Sequence, residues 1–199
     1  MLFRSLDATR LPPFEGEKRE LGEQRSVAKL DRTQPPADLW QRLRNGFAIP
    51  DIESPQVAER TAWYVANQDY LTRVFDRSRL YLFHIVEELE KRGMPTEIAL
   101  LPIVESAFNP MAYSRAHASG LWQFIPGTGK RYELKQNWWY DGRRDIVAST
   151  SAALDYLKDT YDMHGDWQLA LASYNWGENA VARAIEKNRR MNRDRKSVV

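Results

Sequence analysis

Cysteine is absent from this chain of 199 residues. A chain without thiols can form no disulfide scaffold and no thiolate metal site, and it offers no cysteine nucleophile. It also carries no cysteine for lipid attachment. A cysteine-free sequence suits reducing and oxidising compartments equally well, so this absence alone leaves the compartment open.

Long hydrophobic runs are absent as well. The longest aliphatic run, residues 98–104, has seven residues and contains a proline, whereas a membrane-spanning helix needs about 20 apolar residues. The first seven residues lack the basic region and the apolar core of a secretory signal. The sequence as given therefore predicts neither a transmembrane helix nor a signal peptide.

Neither sign of charge dominates the composition. The chain has 29 basic and 27 acidic residues, a formal net charge of +2, which gives no general reason to expect a nucleic-acid partner. The exception is the stretch from Arg183 to Lys196, which holds seven basic and two acidic residues. We expect its end, residues 191–199, to be a solvated basic tail.

Residues that usually hold metal ions or nucleotides are sparse. The three histidines, His84, His117 and His164, are too scattered for a metal site. The segment 126–130 is only superficially similar to a phosphate-binding loop, because no strand precedes it. We therefore expect no metal ion and no cofactor.

Helical periodicity is the main positive signal in the chain. The predicted helix caps are Asp38, Ser54, Ser78 and Thr96, and further helices are predicted over residues 146–161, 166–174 and 178–190. No alternating strand pattern of useful length occurs, so the fold is predicted to be all-α. Pro102 should kink the apolar segment that follows Thr96, or confine it to a first helical turn.

Composition divides the chain into four parts. Residues 1–36 are polar and proline-containing and are expected to form an extended or poorly ordered leader. Residues 37–92 are a helical lead-in, and residues 93–190 contain the candidate functional residues. The basic tail, 191–199, follows.

Glu105 is distinguished by its surroundings. The seven residues before it are apolar, and no Asp or Glu follows until Glu133. A carboxyl group that ends an apolar helix should be desolvated, which raises its pKa and suits a general acid near neutral pH. The alternative is an exposed carboxylate on the polar side of that helix.

The residues near Glu105 favour the general acid. Amide side chains can hydrogen-bond an acetamido group, and aromatic rings can lie against the apolar side of a sugar. Together with one isolated acid they predict a site for an N-acetylated sugar. The candidate contacts are Ser114, Gly120, Trp122, Gln123, Tyr174 and Asn175.

Three ordered motifs give the sequence a specific resemblance. Residues 105–110 (ESAFNP), 118–129 (ASGLWQFIPGTG) and 172–177 (ASYNWG) resemble the motifs of the lytic transglycosylase domain family. The stretches NWWYDGRRD at 137–145 and VAST at 147–150 add to the resemblance, which covers about residues 37–190. It implies a lysozyme-like helical fold, with 93–190 as the catalytic domain.

The resemblance also implies roles for individual residues. Glu105 matches the sole catalytic acid, Ser114 and Gln123 match glycan contacts, and Tyr174 and Asn175 match the motif that closes the cleft. Trp122 stands where methionine is commoner, and it should form an apolar wall unless it packs in the core. For Trp138 and Trp139 we expect core or lid packing.

A single acid implies an unusual chemistry. Most glycosidases use two carboxylates, whereas the resemblance implies a substrate-assisted cleavage of peptidoglycan between N-acetylmuramic acid and N-acetylglucosamine. The product of this cleavage is a 1,6-anhydromuramic acid end. The resemblance also implies that the protein is located in the periplasm or cell envelope. Folding could still bring a second carboxylate from Asp141, Asp145 or Asp155.

Two alternative functions remain open. One is hydrolysis of peptidoglycan, as in goose-type lysozymes, and the other is a non-catalytic glycan-binding module. In the resembled family the chain continues beyond the position of Arg190 into a further helix that completes the cleft, whereas this one ends at Val199. That difference implies weakened stability or activity unless another chain or segment fills the gap. The oligomeric state cannot be predicted.

Overall fold

The computed structural model describes residues 38–196, with side chains as far as residue 191. The expected leader, 1–36, lies outside the described residues. The helices are α1 (Leu39–Asn45), α2 (Pro55–Ala66), α3 (Gln68–Ser78), α4 (Leu82–Arg92), a 3₁₀ helix (Thr96–Leu100), α5 (Leu101–Ser106), α6 (Pro126–Arg131), α7 (Ile146–His164), α8 (Trp167–Trp176) and α9 (Glu178–Lys196). Extended pairing within 38–196 is limited to three isolated bridges, so the prediction of an all-α fold is confirmed.

The described residues fall into two compact units. Residues 38–155 belong to one and residues 156–196 to the other. Across 38–196, no helix is long and apolar enough to cross a bilayer.

The first unit is organised around α4. Its predicted apolar stripe is fully buried, and it consists of Leu82, Ile85, Val86 and Leu89. Arg42 of α1 binds Glu90 of α4 through two hydrogen bonds of 2.8 and 2.6 Å, which joins the two helices. Gly93 adopts a left-handed conformation (φ 63°) and ends α4, as its position after the stripe predicts.

The prediction that Ser78 begins a helix is wrong. Ser78 is the last residue of α3, and its hydroxyl donates to the carbonyl of Phe75 at 2.7 Å. α4 starts only at Leu82, with no side-chain cap. The polar composition of α3 hid this helix, because Val74 is its one buried apolar residue.

Thr96 and Pro102 shape the segment that leads to Glu105. Thr96 does not cap a helix; its hydroxyl donates to the carbonyl of Leu43 at 2.5 Å. The 3₁₀ helix ends at Leu100, and Pro102 lies in the first turn of α5, where its missing N–H removes no helical hydrogen bond. Pro102 thereby confines Glu105 to a helix of six residues.

The carboxy-terminal helix is longer than its periodicity predicts. α9 continues past residue 190 to Lys196, because the sequence from Met191 to Lys196 contains neither glycine nor proline. An ion pair between Glu186 and Arg190 of 2.9 Å lies along its exposed side. The backbone of the expected basic tail is therefore helical over 191–196, and residues 197–199 lie outside the described part.

Candidate active site

Glu105 lies in the last turn of α5, immediately before a sharp reversal of the chain. Ala107 and Phe108 both adopt positive φ angles, 52° and 57°. Their amides donate to the carbonyls of Ile103 (3.2 Å) and Pro102 (3.0 Å). Phe108 is fully buried, and this burial offsets the cost of about 1–2 kcal/mol for each left-handed residue. The reversal fixes the end of the helix that carries Glu105.

The Glu105 carboxyl group is half-buried and has no compensating partner. Burial raises the pKa of Glu105 to about 7. Among residues 38–191, no side chain or backbone amide donates a hydrogen bond to it. Since desolvation disfavours the charged form, this carboxyl titrates near neutral pH, where both its protonated and its ionised forms are populated. The expected desolvation of Glu105 is confirmed.

The 112–125 loop is tied directly to the end of α5. The hydroxyl of Ser106 donates to the carbonyl of Leu121 at 2.8 Å. Within the loop, the Ser114 hydroxyl accepts from the amides of Ala116 (3.2 Å) and Ala118 (3.1 Å). The Ser114 oxygen therefore supports the turn, while its hydrogen has no acceptor among the described residues. Such a hydroxyl can still donate to a ligand.

Gly120 is required by close packing as well as by its conformation. Its φ is 86°, and its amide donates to the carbonyl of Ala112 at 3.0 Å. A Cβ at this position would lie 2.7 Å from the carbonyl carbon of Arg143, and closer still to the carbonyl oxygen. Gly120 thus lets residues 141–145 pack against the 112–125 loop.

The side-chain amide of Gln123 uses its nitrogen in hydrogen bonds within the protein and leaves its oxygen open to a ligand. Its Nε2 donates to the carbonyls of Gly120 (2.8 Å) and Ala112 (3.3 Å). Two carbonyl partners fix which end of the amide is the nitrogen. The opposite oxygen, Oε1, accepts no hydrogen bond from the described residues. Gln123 therefore offers a fixed acceptor, which is what an acetamido N–H requires.

Trp122 is packed into the interior. Its side chain is fully buried, and its Nε1 donates to the Thr150 hydroxyl at 3.0 Å. In this position the ring anchors the 112–125 loop to α7. A contact between Trp122 and sugar stays a prediction, and it requires the ring to become exposed.

A comparison with protein families bears on this geometry. A family model described as the transglycosylase SLT domain matches residues 84–197. The match covers more than half of the chain and includes all of the site residues above. The chain therefore belongs to the transglycosylase SLT domain family. The predicted resemblance and the lysozyme-like helical fold are confirmed.

Curated proteins agree with membership of the SLT family. The chain is 45% identical over 156 residues to the membrane-bound lytic murein transglycosylase D of Escherichia coli, which covers 78% of this chain and 34% of that protein. It is 28% identical over 166 residues to the membrane-bound lytic murein transglycosylase C of Glaesserella parasuis, covering 76% and 42%. An Alteromonas protein, assigned provisionally to tributyltin chloride resistance, is 48% identical over 123 residues. The chain spans 34% to 58% of the length of these relatives.

Tyr174 and Asn175, the remaining site residues predicted for this SLT domain, belong to the second unit. Both lie near the end of α8, where Tyr174 is half-buried and Asn175 is exposed. The Tyr174 ring lies 5.4 Å from the ring of Tyr156. Their contact with sugar stays a prediction.

Ser173, which directly precedes Tyr174 and Asn175, has a clear structural partner. It is fully buried, and its hydroxyl lies 3.0 Å from Nε2 of His164. Its carbonyl accepts a hydrogen bond of 3.1 Å from the Tyr156 hydroxyl. The serine therefore links α8 to the end of α7 just before the Tyr174–Asn175 motif.

Asp141, Asp145 and Asp155, the three residues that could have supplied a second catalytic carboxylate, all have partners. Asp141 accepts from the Arg143 guanidinium at 2.9 and 2.7 Å, and this contact lowers its pKa. Asp145 accepts from the amide of Ala148 at 2.9 Å, which lowers its pKa as well. Asp155 lies 3.5 Å from the Arg92 guanidinium. Each carboxylate thus has a structural role in the first unit.

Of the two placements expected for Trp138 and Trp139, core packing is wrong and lid packing stays a prediction. Their side chains are 89% and 90% exposed. Hydrophobicity alone suggests burial, but the turn formed by residues 136–141 directs both side chains into solvent. Sequence reasoning also missed Arg143, a buried cation whose Nη1 donates to the carbonyls of His117 (2.7 Å) and Phe124 (3.1 Å). Its charge gave no signal of this internal role.

Glu105→Gln should stabilise the protein at high pH and leave it unchanged at low pH. The folded state raises the pKa of Glu105 from 4.5 to about 7, so it binds this proton more tightly than the unfolded state. The wild type therefore loses stability as pH rises from 4.5 towards 7, by up to about 3 kcal/mol. Urea unfolding at pH 4 and pH 8 measures the difference.

The matched control for that experiment is Glu133→Gln, the same substitution at an exposed position. A Glu105→Gln variant that gains no more stability at pH 8 than at pH 4 would contradict the desolvation of Glu105.

Proposed function

We propose that this chain is a lytic transglycosylase, which cleaves the β-1,4 bond between N-acetylmuramic acid and N-acetylglucosamine in peptidoglycan. Membership of the SLT family and the names of the relatives support the reaction class. The single observation that carries the proposal is the half-buried Glu105, whose pKa is raised to about 7. Such a group can donate a proton and later accept one at the same pH.

In the first step, the protonated Glu105 donates its proton to the glycosidic oxygen. The bond between this oxygen and C1 of the muramic acid breaks, and the N-acetylglucosamine side leaves with a new hydroxyl. The acetamido oxygen of the muramic acid stabilises the positive charge at C1. This intramolecular group does the work of the second carboxylate of most glycosidases.

In the second step, the ionised Glu105 accepts the proton of the muramic acid C6 hydroxyl. The C6 oxygen bonds to C1 as the acetamido oxygen departs, which forms the 1,6-anhydro ring. Glu105 is protonated again, no water is consumed and no cofactor takes part. The partners of Asp141, Asp145 and Asp155 support this route, because each is already engaged by a hydrogen bond or an ion pair.

The other site residues would bind the glycan. Gln123 Oε1 would accept the acetamido N–H, and the Ser114 hydroxyl would donate to a sugar oxygen. Gly120 would hold the loop that presents Gln123. Tyr174 and Asn175 are assigned to glycan contact from their motif, and Trp122 to the apolar support of the site. Peptidoglycan strands are thus the proposed partner, and the cell envelope the proposed location.

Mass spectrometry of digested peptidoglycan tests this function. Purified sacculi incubated with the protein should release muropeptides that end in 1,6-anhydromuramic acid, one water lighter than hydrolytic products. Reducing muramic acid ends alone would identify a hydrolase instead. Binding to sacculi without any release would identify a non-catalytic module.

A further inference from the structure

A pair of tryptophans stands in solvent on a loop that is hydrogen-bonded to the 112–125 loop. The segment that presents them is the aromatic loop, residues 136–145. Trp138 and Trp139 are 89% and 90% exposed, more than any other large hydrophobic side chain that the described residues expose. Exposing two adjacent indoles forgoes the stabilisation that burial of two large apolar side chains would give. An exposed aromatic pair of this kind marks a binding surface.

The aromatic loop is held rigid from within. The side-chain oxygen of Asn137 accepts from the amides of Trp139 (2.9 Å) and Tyr140 (2.8 Å). The amide of Asn137 donates to the carbonyl of Tyr140 at 2.9 Å. The Tyr140 hydroxyl donates to Asp145 at 3.0 Å. A turn fixed in this way presents its indoles at a low cost in conformational entropy when a ligand binds.

The loop is also joined to the segment that carries Gln123. Besides the hydrogen bonds of Arg143 to His117 and Phe124, Nε of Arg144 donates to the Ser119 hydroxyl at 2.9 Å. The carbonyl of Arg143 lies against Gly120. The exposed indoles and Gln123 therefore belong to adjacent, directly bonded loops of one unit.

We propose that Trp138 and Trp139 bind sugar rings of the glycan strand that lie outside the pair of sugars being cleaved. This inference rests on the proposed function, since it assigns a further binding surface to the same substrate. Pyranose rings present a face of C–H groups, which lies well against an indole, while their hydroxyls stay hydrated. The two indoles would then determine how tightly long strands bind rather than how fast the bond breaks.

Local charge favours a glycan over a bilayer as the occupant. Residues 133–145 carry three acidic and three basic side chains. Adsorption to an anionic membrane surface relies on clusters of basic residues, and this stretch has no net positive charge. A hydrogen-bonded aromatic loop whose charges balance fits a polyhydroxylated chain better.

Binding of glycan strands of defined length to the Glu105→Gln protein tests this surface. The strands are freed of stem peptides and sorted by length, and affinity is measured by calorimetry. Trp138→Ala and Trp139→Ala should each weaken binding of long strands on the order of tenfold. The shortest strands should bind with little change. Trp138→Phe and Trp139→Phe should keep most of the affinity, because each retains an aromatic face.

The control is Leu80→Ala, which removes another side chain that is 78% exposed and should leave binding at every length unchanged. Equal affinity of the alanine variants and their parent for long strands would overturn the inference, and so would absence of strand binding by the parent. Loss of binding to anionic phospholipid vesicles, with strand binding unchanged, would overturn it in favour of a membrane contact. Release of anhydromuropeptides by the wild type decides the proposed function separately.

Discussion

Glu105→Gln is expected to lower the release of soluble muropeptides by about a thousandfold or more. General acid–base catalysis by one side chain typically contributes 10²–10⁴-fold, and in the proposed route Glu105 acts twice. Glutamine keeps the shape of the side chain and can donate an N–H, but it cannot transfer a proton to the leaving oxygen. Asp141 and Asp145 cannot replace it easily, because their pKa values are lowered by Arg143 and Ala148.

The experiment compares release rates from purified sacculi with binding to the same sacculi. Binding should persist in Glu105→Gln, since Gln123 and Ser114 are unchanged and the loop remains tied through Ser106. Glu133→Gln, the exposed control, should release muropeptides at the wild-type rate. Release by Glu105→Gln at the wild-type rate would show that another group supplies the proton.

The pH dependence of the release rate of the wild type tests the role of Glu105 independently. A general acid acts only in its protonated form, and burial raises the pKa of Glu105 to about 7. At limiting substrate, the rate should therefore fall about tenfold per pH unit well above pH 7. A rate that stays constant between pH 6 and pH 9 would contradict the assignment of Glu105 as the acid.

Local signals in the sequence were sufficient to predict much of the structure of the first unit. Asp38 caps α1 and Ser54 caps α2 as predicted, because capping depends on residues within one turn. The elevated pKa of Glu105 also follows from its apolar neighbours in the chain. Helix α3 escaped prediction because its buried stripe is too narrow to stand out against its polar residues.

Exposure of the tryptophans could not be predicted from residue type. Trp122 is fully buried and Trp139 is 90% exposed, although both occur in segments with similar aromatic content. The difference arises from tertiary contacts, namely the hydrogen bond from Trp122 to Thr150 and the turn held by Asn137. Neither contact leaves a periodic pattern in the sequence. The requirement for glycine at position 120 could not be predicted either, because it arises from the carbonyl of Arg143, which lies against Gly120 in the folded chain.

Gly120→Ala should destabilise the protein by on the order of 4 kcal/mol. Two effects add at this position: a positive φ, which costs a non-glycine residue about 1–2 kcal/mol, and overlap of the new Cβ with the carbonyl of Arg143. That carbonyl cannot move freely, because the Arg143 guanidinium is bound to His117, Phe124 and Asp141. Losses of this size are rare for single substitutions and indicate backbone strain or overpacking.

Two other glycines of the same unit separate these effects. Gly93 has a positive φ of 63°, but a Cβ added there would meet no atom within 4 Å, and Gly127, in α6, has neither constraint. Gly93→Ala should therefore cost about 1 kcal/mol, and Gly127→Ala should cost nothing or stabilise by up to about 1 kcal/mol. Chemical unfolding monitored by circular dichroism gives the free energy of unfolding of each of the three variants.

A loss for Gly120→Ala no greater than for Gly93→Ala would contradict the close packing of the two loops. Strand affinity measured on the folded fraction extends the comparison to function. The carbonyl of Gly120 holds Gln123 Nε2 at 2.8 Å, so displacement of Gly120 should also move the Gln123 oxygen proposed to accept the acetamido N–H. Gly120→Ala should consequently weaken glycan binding, whereas Gly93→Ala should not. Gly120 would then connect the packing of the aromatic loop to recognition of the sugar.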